Sequence, residues 1–391
     1  MRVGIFTDND FGKINGVTTT LKAVLDHAPD DVTVRVYTAS RAAVETPGYL
    51  ALRAPAFGIP FYEGMDMCAP RFGAFLRAAQ RDRLDVVHYT TPGPMGLVAQ
   101  YVAWRLRLPM VGSFHTLLAD YAAMLSGSQR LGDLMAAYLR WPYGRCLRVL
   151  VPSAATRDQL VAARIAPDRL HVWSRGVDTV RFDPNRRSME LRRAWGAADG
   201  RPVVVYAGRL SVEKGLLDIP ALWRYATATG PARLVIAGDG PLRAELQRRL
   251  PEATFTGPLT HDALAVVMAS ADAFLFPSRT DTLGNVVLEA QASGLPVLVS
   301  DAGGPQENLV PGHSGFVCRP GAMGEGFEAR LAQLVASADL RARLSVGARH
   351  YALQRTWKGA MQPLFQTWRD AGSLAQRSPA GRWAVQPTSW S

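Results

Sequence analysis

Residues 278–304 read SRTDTLGNVVLEAQASGLPVLVSDAGG, and the pattern of this stretch decides the fold. Its middle has the composition of a short apolar helix, and an apolar strand lies on either side of that helix. Two acids, Asp281 and Glu289, stand around the helix start. A strand–helix–strand unit of this kind predicts a parallel sheet, with polar groups gathered beyond the carboxyl ends of the strands.

The same alternation of apolar strands and helical stretches runs through both halves of the chain, which predicts an α/β fold. A chain of 391 residues is too long for one ordinary core, so two domains with parallel sheets are expected. The expected parts are an N-terminal domain over 1–175, a linker over 176–200, a C-terminal domain over 201–355, a helix over 356–372 that returns toward the N-terminal domain, and a mobile tail over 373–391.

Composition favours anionic partners and a reducing compartment. The formal net charge is +11, carried almost entirely by arginine, so Lys214 is one of only four lysines. The cysteines, Cys68, Cys146 and Cys318, are far apart and predict reduced thiols in a cytoplasmic protein. Neither a signal peptide nor an apolar run long enough to span a bilayer is visible. Any membrane contact would therefore be peripheral, at the inner face of the cell membrane.

Several common site motifs are missing. The segment AGDGPLR has Arg243 where a dinucleotide-binding motif needs its third glycine, and no P-loop or zinc-binding pattern occurs. Asp8 and Asp10 form a D-x-D at the end of the first strand, a pattern that holds a metal in some sugar transferases. We interpret at least one of these acids as a solvated loop residue, and we expect neither a metal nor a cofactor.

The loop YAGRLSVEKG places Arg209 and Lys214 just beyond the first strand of the C-terminal half. Such a pair alone is more often a solvated loop. The helix after Asp281 is predicted to begin near 283–285, where unpaired amides and the dipole favour an anion. Gly284 would allow a phosphate to approach closely. These groups together predict a diphosphate site.

Asp281 and Glu289 are then explained as acceptors for hydroxyl groups on either side of the diphosphate. One carboxylate would bind a sugar ring and the other a ribose. The alternative for Glu289 is an exposed helix acid, but its neighbours in the sequence are apolar.

The motifs AGRLSVEKG, DTLGNVVLEA, SGLPVLVSDAGG and INGV together resemble the retaining nucleotide-sugar glycosyltransferases of the GT-B fold. This family includes bacterial α-mannosyltransferases and the sulfoquinovosyl- and glucosyl-diacylglycerol synthases. The resemblance covers about residues 1–370 and implies two Rossmann-like domains whose parallel sheets face a cleft between them. It implies that the N-terminal domain binds the acceptor and that the C-terminal domain binds the nucleotide sugar. It also implies a donor that is a GDP- or UDP-linked sugar.

The resemblance implies a role for each site residue. Arg209 and Lys214 would neutralise the leaving diphosphate. Asp281, where most members have Glu, would bind hydroxyls of the donor sugar, and Glu289 those of the ribose. His115, at the end of a predicted strand, would contact the sugar near its 6-hydroxyl and the reacting centre; a lone histidine is otherwise more often structural. Backbone groups of Gly16, Gly284, Asn285 and Val286 would hold the phosphates.

The function expected from these features is transfer of a hexosyl group, with mannosyl favoured, to a lipid or glycan. The alternatives are a soluble acceptor, a nucleotide-sugar epimerase on the same frame, a nicotinamide dehydrogenase and a non-catalytic basic binding protein; nucleic acid is not an expected partner. Two arginine-rich segments with aromatic residues favour an anionic membrane surface, unless the aromatics pack internally. They contain Arg71, Phe72, Phe75, Arg77, Arg81 and Arg83, and Arg140, Trp141, Tyr143, Arg145 and Arg148.

Overall fold

The computed structural model describes residues 1–12, 15–58, 66–319 and 324–377. The chain forms two compact units, one of Met1–Ser174 with Ala360–Ser391 and one of Arg175–Gly359. Most of the predicted tail, residues 378–391, lies outside the described residues, as does Ile14 of the INGV motif.

A parallel sheet forms the centre of the first unit. Its described strands are β1 (Arg2–Phe6), β2 (Thr33–Ser40), β3 (Val44–Thr46), β4 (Tyr49–Arg53), β5 (Ala56–Gly58), β6 (Asp66–Cys68), β7 (Val86–Tyr89), β8 (Met110–Ser113), β9 (Arg148–Val151) and β10 (Leu170–Val172). Eight of these described strands follow the order β10-β9-β8-β7-β1-β2-β4-β3, and β5 pairs with β6 separately. Only β3 runs antiparallel to its neighbour within the eight-stranded sheet described. β7 is buried at every residue, as expected for a parallel strand covered on both faces.

Helices connect these strands. They are α1 (Gly16–Asp26), α2 (Phe72–Arg81), α3 (Pro94–Leu106), α4 (Leu118–Ser126), α5 (Gln129–Tyr143) and α6 (Ala154–Ala162). Asn15 caps α1, because its side chain accepts from the backbone amides of Val17 and Thr18. In return, the Thr18 hydroxyl accepts from the backbone amide of Asn15. Gly16 is thus the first residue of a well-defined helix.

The second unit repeats the architecture with a fully parallel sheet. Its described strands are β11 (Val203–Ala207), β12 (Arg233–Ala237), β13 (Thr254–Gly257), β14 (Ala273–Phe276), β15 (Val297–Ser300) and β16 (Gly315–Cys318). Among the described residues they follow the order β13-β12-β11-β14-β15-β16. The helices are α7 (Met189–Ala194), α8 (Ile219–Thr227), α9 (Arg243–Arg249), α10 (His261–Ala269), α11 (Asn285–Ala292), α12 (Phe327–Ala336) and α13 (Ala338–Leu353).

Residues 176–200, expected as a linker, belong to the second unit. Phe182 and Trp195 are part of its core. The buried Arg192 donates to the backbone oxygen of Ser270 at 3.0 Å and to the carboxylate of Asp272 at 2.8 Å. These contacts could not be predicted from the polar, turn-rich sequence of the segment, because two of the groups that hold it lie about 80 residues further along the chain.

The last described helix, α14 (Trp357–Arg377), belongs to the first unit from Ala360 onward. Its Trp368 is fully buried against His88 of β7, with ring centroids 5.6 Å apart. Neither α14 nor any other helix in the described part of the chain is long and apolar enough to cross a membrane.

Candidate active site

The loop after β11 carries the two predicted cations of the second unit. Arg209 is partly buried, and its backbone oxygen accepts from the hydroxyl of Tyr206 at 3.0 Å. Lys214 ends a short 3₁₀ turn and is followed by Gly215 at φ +71°. A Cβ on Gly215 would lie 2.8 Å from the backbone oxygen of Pro277. The glycine therefore lets the loop after β11 lie directly against the loop after β14.

That approach brings Lys214 to Asp281. Its ammonium group donates to both carboxylate oxygens, at 2.8 and 2.9 Å, and the two side chains are 17% and 19% exposed. The hydroxyl of Thr280 supports the contact by donating to the backbone oxygen of Glu213 at 3.0 Å. Sequence reasoning had assigned the two residues to different parts of the ligand. The structure joins them in one ion pair.

Helix α11 begins beside this pair. Its N-cap is Gly284, at φ 73° and ψ 69°, a left-handed conformation that glycine adopts without strain. Within the described structure no side chain caps the helix, and its first turn has no acid. The predicted helix start near 283–285 is therefore correct. An uncapped N-terminus with its partial positive charge suits an anion.

Two residues that sequence reasoning missed hold the approach to α11 in place. The buried amide of Asn308 donates to the backbone oxygen of Leu283 at 2.6 Å. The backbone amide of Gly304 donates to the backbone oxygen of Asp281 at 2.9 Å, and a Cβ on Gly304 would lie 1.9 Å from the oxygen of Thr282. The glycine pair in VSDAGG was a visible signal for this close contact, whereas Asn308 had none.

Glu289 lies on α11 in nearly buried surroundings, with its side chain 12% exposed. Burial raises the pKa of its carboxyl to about 7, although the charge of Arg181 opposes the shift. The imidazole Nε2 of His261 lies 4.0 Å from one carboxylate oxygen. The alternative of an exposed helix acid is therefore excluded for Glu289. Its carboxyl is a group whose ionisation a ligand could change.

In the first unit, the aspartates of the D-x-D are part of the local structure. Asp8 accepts from the amide of Met95 at 2.9 Å and from the hydroxyl of Thr91 at 2.6 Å, at the N-terminus of α3. Burial nevertheless raises the pKa of Asp8 to about 6. Asp10 accepts from the amide of Gly12 at 2.7 Å and from the hydroxyl of Ser40. Asp8 is therefore a partly buried, hydrogen-bonded acid at the N-terminus of α3 and not a solvated loop residue.

His115 lies two residues after the end of β8 and is partly exposed. Its Nε2 lies 2.8 Å from the hydroxyl of Ser113, and its ring meets the edge of the buried Trp173 at a centroid distance of 6.3 Å. Ser113 and Trp173 together therefore fix the orientation of the His115 ring.

The loops after β11 and β14 and helix α11 of the second unit carry Arg209, Lys214, Asp281, Gly284, Asn285, Val286 and Glu289, and the structure pairs Lys214 with Asp281. Gly16 and His115 belong to the first unit, so their predicted contacts with a donor stay predictions. Across the described residues, no group of three or more histidine, cysteine or acidic side chains could hold a metal ion.

Two α/β units with largely parallel sheets and charged groups beyond the strand ends agree with the predicted GT-B fold, and comparisons with known proteins identify the family. Residues 14–181 match the model described as Glycosyltransferase Family 4, and residues 201–337 match Glycosyl transferases group 1. A GDP-mannose-dependent alpha-mannosyltransferase of Mycobacterium tuberculosis is 35% identical, over 91% of this chain and 93% of that protein. An alpha-monoglucosyldiacylglycerol synthase of Streptococcus pneumoniae is 27% identical, over 76% and 70%.

Among solved structures, the Anabaena protein HepE in complex with UDP and glucose matches with a TM-score of 0.75. It is 20% identical, over 95% of this chain and all of that chain, so this likeness concerns the fold. The protein belongs to the family of GT-B glycosyltransferases defined by these two domain models, as its motifs predicted.

Proposed function

We propose that the protein transfers a mannosyl group from GDP-mannose to a lipid acceptor, with retention at the anomeric carbon. The observation that carries the proposal is the Lys214–Asp281 pair beside the uncapped start of α11. The identity of the sugar and the base is supported by the name of the M. tuberculosis relative. The lipid acceptor is supported by the name of the S. pneumoniae relative.

The Lys214–Asp281 pair carries no net charge, so its role in binding a diphosphate differs from that of an isolated lysine. Net positive potential comes from Arg209 and from the amide end of α11, and Lys214 adds a directed donor. Asp281, held at both oxygens by one ammonium, has its orientation set before the donor binds. A preorganised carboxylate is suited to accepting hydroxyl hydrogen bonds from the transferred sugar.

Glu289 supplies the second carboxylate. A nearly buried acid with a pKa near 7 gains hydrogen-bond donors when two vicinal hydroxyls dock against it. Those donors favour the ionised form and offset the cost of burial. We assign this carboxylate to the ribose.

In the proposed reaction the bond between the anomeric carbon and the phosphate oxygen breaks through an oxocarbenium-like state. The acceptor oxygen attacks from the same face, and its proton passes to the departing phosphate oxygen. Charge grows on the diphosphate as the bond breaks, so Arg209, Lys214 and the helix amides stabilise the transition state more than the ground state. Asp281 orients the sugar and does not act as the nucleophile.

Peripheral contact with an anionic membrane would bring the enzyme to a lipid acceptor. The structure corrects which aromatics are available: Phe75 and Tyr143, expected at the interface, are buried. The neighbouring Phe72 and Trp141 are exposed, and the guanidinium of Arg145 lies 4.3 Å from the Trp141 ring. Exposed arginine–aromatic pairs of this kind suit a head-group region.

Helix α3 adds an aromatic surface that sequence reasoning missed. Trp104 is 65% exposed, and the guanidinium of Arg105 lies 5.7 Å from its ring. Tyr101 stands between Trp104 and Phe72, at centroid distances of 6.3 and 5.6 Å. This surface lies on the first unit, where the family resemblance places the acceptor.

The donor assay uses the purified full chain with GDP-mannose, UDP-glucose and other sugar nucleotides, each with and without diacylglycerol lipids. We expect release of GDP that requires a lipid acceptor, and an α-linked product by NMR. Interconversion of sugar nucleotides without acceptor would identify an epimerase. If no sugar nucleotide is consumed under any condition, the proposal is wrong.

Membrane contact is tested separately by flotation with vesicles. We expect binding to anionic but not to zwitterionic vesicles, weakened by salt, and reduced in Trp104→Ala. Tyr225→Ala, which removes an exposed aromatic from the second unit, is the matched control. Equal failure to bind either vesicle, together with efficient turnover of a soluble sugar acceptor, would contradict this part of the proposal.

A further inference from the structure

A chain of hydrogen bonds runs from α14 to His115 within the first unit. The indole Nε1 of Trp368 lies 2.9 Å from Nδ1 of His88. Nε2 of His88 lies 2.8 Å from the hydroxyl of Ser113, and that hydroxyl lies 2.8 Å from Nε2 of His115. The first three side chains are buried, so water does not compete for their bonds.

The sheet explains why these groups meet. His88 of β7 is paired with Val111 of β8, and Ser113 lies two residues further along the same strand. Alternate residues of a strand share a face, so Ser113 lies on the same side as Val111, beside His88. Trp368 of α14 closes the chain from that side.

The proton position on His88 follows from one fact, that an indole N–H can only donate. His88 must accept at Nδ1, which makes it neutral and places its proton on Nε2. That N–H donates to the oxygen of Ser113. The serine hydroxyl then donates to Nε2 of His115, which must accept.

We infer that Trp368, His88 and Ser113 are positioning residues that fix His115 as the neutral tautomer with its proton on Nδ1. A proton on Nε2 of His115 would direct two N–H groups at one serine oxygen. The serine hydroxyl, fully buried, would lose its acceptor. The chain thus disfavours both the other tautomer and the imidazolium.

The bonds also hold the ring in place. Tyr143 donates to the backbone oxygen of Ser113 at 3.3 Å, and Trp173, whose ring edge meets His115, donates from its indole to the backbone oxygen of Ala360 at 2.9 Å. Two indoles therefore set the orientation and the proton position of His115. Trp368 belongs to the C-terminal segment, and Trp173 is hydrogen-bonded to it. A neutral His115 with a fixed Nδ1–H donor is suited to contacting a sugar hydroxyl beside a charged leaving group. This role of His115 in the reaction rests on the proposed function.

The test is ¹⁵N NMR of the full chain labelled at its seven histidines. His115→Gln and His88→Gln serve to assign the signals. We expect His115 of the wild type to show a protonated Nδ1 and an unprotonated Nε2. In Ser113→Ala, a small substitution, we expect His115 to populate both tautomers. Trp368→Phe should release His88 and have the same effect at His115 in weaker form.

The matched control is Ser153→Ala, which removes another buried hydroxyl of the first unit, the N-cap of α6, and should leave the His115 signals unchanged. A protonated Nε2 on His115 in the wild type would overturn the inference. An unchanged single tautomer in Ser113→Ala would also overturn it.

Turnover supplies the second measurement. Ser113→Ala should lower kcat about tenfold with a smaller change in the KM for the donor, whereas Ser153→Ala should lower neither. Because the NMR result does not depend on turnover, a protein with the expected tautomers that consumes no sugar nucleotide would contradict the proposed function and leave the positioning network standing. Equal kcat in Ser113→Ala and wild type would overturn the role of the network in catalysis.

Discussion

Helices α3 and α11 both follow a parallel strand, one in each unit, and both begin after a glycine. At α3 the carboxylate of Asp8 accepts from the amide of Met95, so the protein supplies its own anion. At α11 no side chain within the described structure caps the first turn, and the nearest acid on the approach, Asp281, is neutralised by Lys214.

The difference shows how two copies of one architecture are given different roles. A helix N-terminus attracts an anion wherever it occurs, and the residues packed around it decide whether that anion belongs to the protein or to a ligand. In the first unit the N-terminus of α3 is satisfied by Asp8, a partly buried acid whose pKa is raised to about 6. The first turn of α11 contains no acid, and our proposal places the diphosphate of the donor there.

The largest effect is expected at the ion pair. Lys214→Ala removes a donor to the diphosphate and leaves Asp281, 19% exposed, without its cation. We expect kcat/KM to fall by roughly two to three orders of magnitude, equivalent to about 3–4 kcal/mol. Stability should fall as well, because the carboxylate of Asp281 loses its partner.

A double-mutant cycle with Asp281→Asn separates the two effects. The double variant should recover stability relative to Lys214→Ala but not activity. Arg209→Ala is the comparison on the same loop, and it should lower kcat/KM with little change in Tm. Near wild-type turnover in Lys214→Ala would remove the diphosphate assignment.

The second prediction compares the two N-cap glycines directly. A Cβ on Gly284 would lie 3.2 Å from Pro305 and 3.3 Å from Phe276, on a left-handed backbone, at the proposed phosphate site. A Cβ on Gly93 would lie 2.4 Å from a carboxylate oxygen of Asp8. We expect Gly284→Ala to weaken donor binding about tenfold, and Gly93→Ala to lower stability with donor affinity unchanged.

Isothermal titration with GDP and thermal unfolding check both variants. Gly127→Ala is the control for backbone strain alone, because Gly127 has φ +66° with nothing within 4 Å of the added Cβ. Equal loss of donor affinity in Gly93→Ala and Gly284→Ala would remove the distinction between the two helices.

The fold could be predicted because strand and helix periods are local signals. The start of α11 was also predictable, since Gly284 and the apolar run after it lie next to each other in the sequence. The pairing of Lys214 with Asp281 was not, because the residues are 67 positions apart and meet only once β14 lies beside β11. The role of His88 depends on Trp368, 280 positions away.

The third prediction concerns the internal anion of α3. Burial raises the pKa of Asp8 from 3.8 to about 6, so the folded protein holds its proton more tightly than the unfolded chain. The resulting stabilisation is fully present below pH 3.8 and is lost as the pH rises through about 6. We expect this group to make the protein about 1 kcal/mol more stable at pH 5 than at pH 7.

Asp8→Asn should reduce the stability difference between pH 5 and pH 7 by about this amount, as urea unfolding at the two pH values would measure, and the contribution of Glu289, whose pKa is also raised, should remain. Asp133→Asn, a substitution on the exposed side of α5, should leave the whole difference unchanged. If Asp8→Asn retains the full pH dependence of the wild type, the Asp8 carboxyl contributes nothing to it.

The smallest effect is expected from metal removal. The developing charge on the diphosphate is met, in our proposal, by Arg209, Lys214 and the amide end of α11. The acids of the D-x-D already accept protein hydrogen bonds, Asp8 from α3 and Asp10 from Gly12 and Ser40. We therefore expect EDTA to change the rate of GDP release by less than about twofold, and Asp10→Ala to show no new metal dependence. Activity that disappears in EDTA and returns with magnesium or manganese would contradict this prediction. A metal ion would then supply part of the charge stabilisation that we assign to the cationic groups. Asp8 and Asp10 would be the first candidate ligands to test.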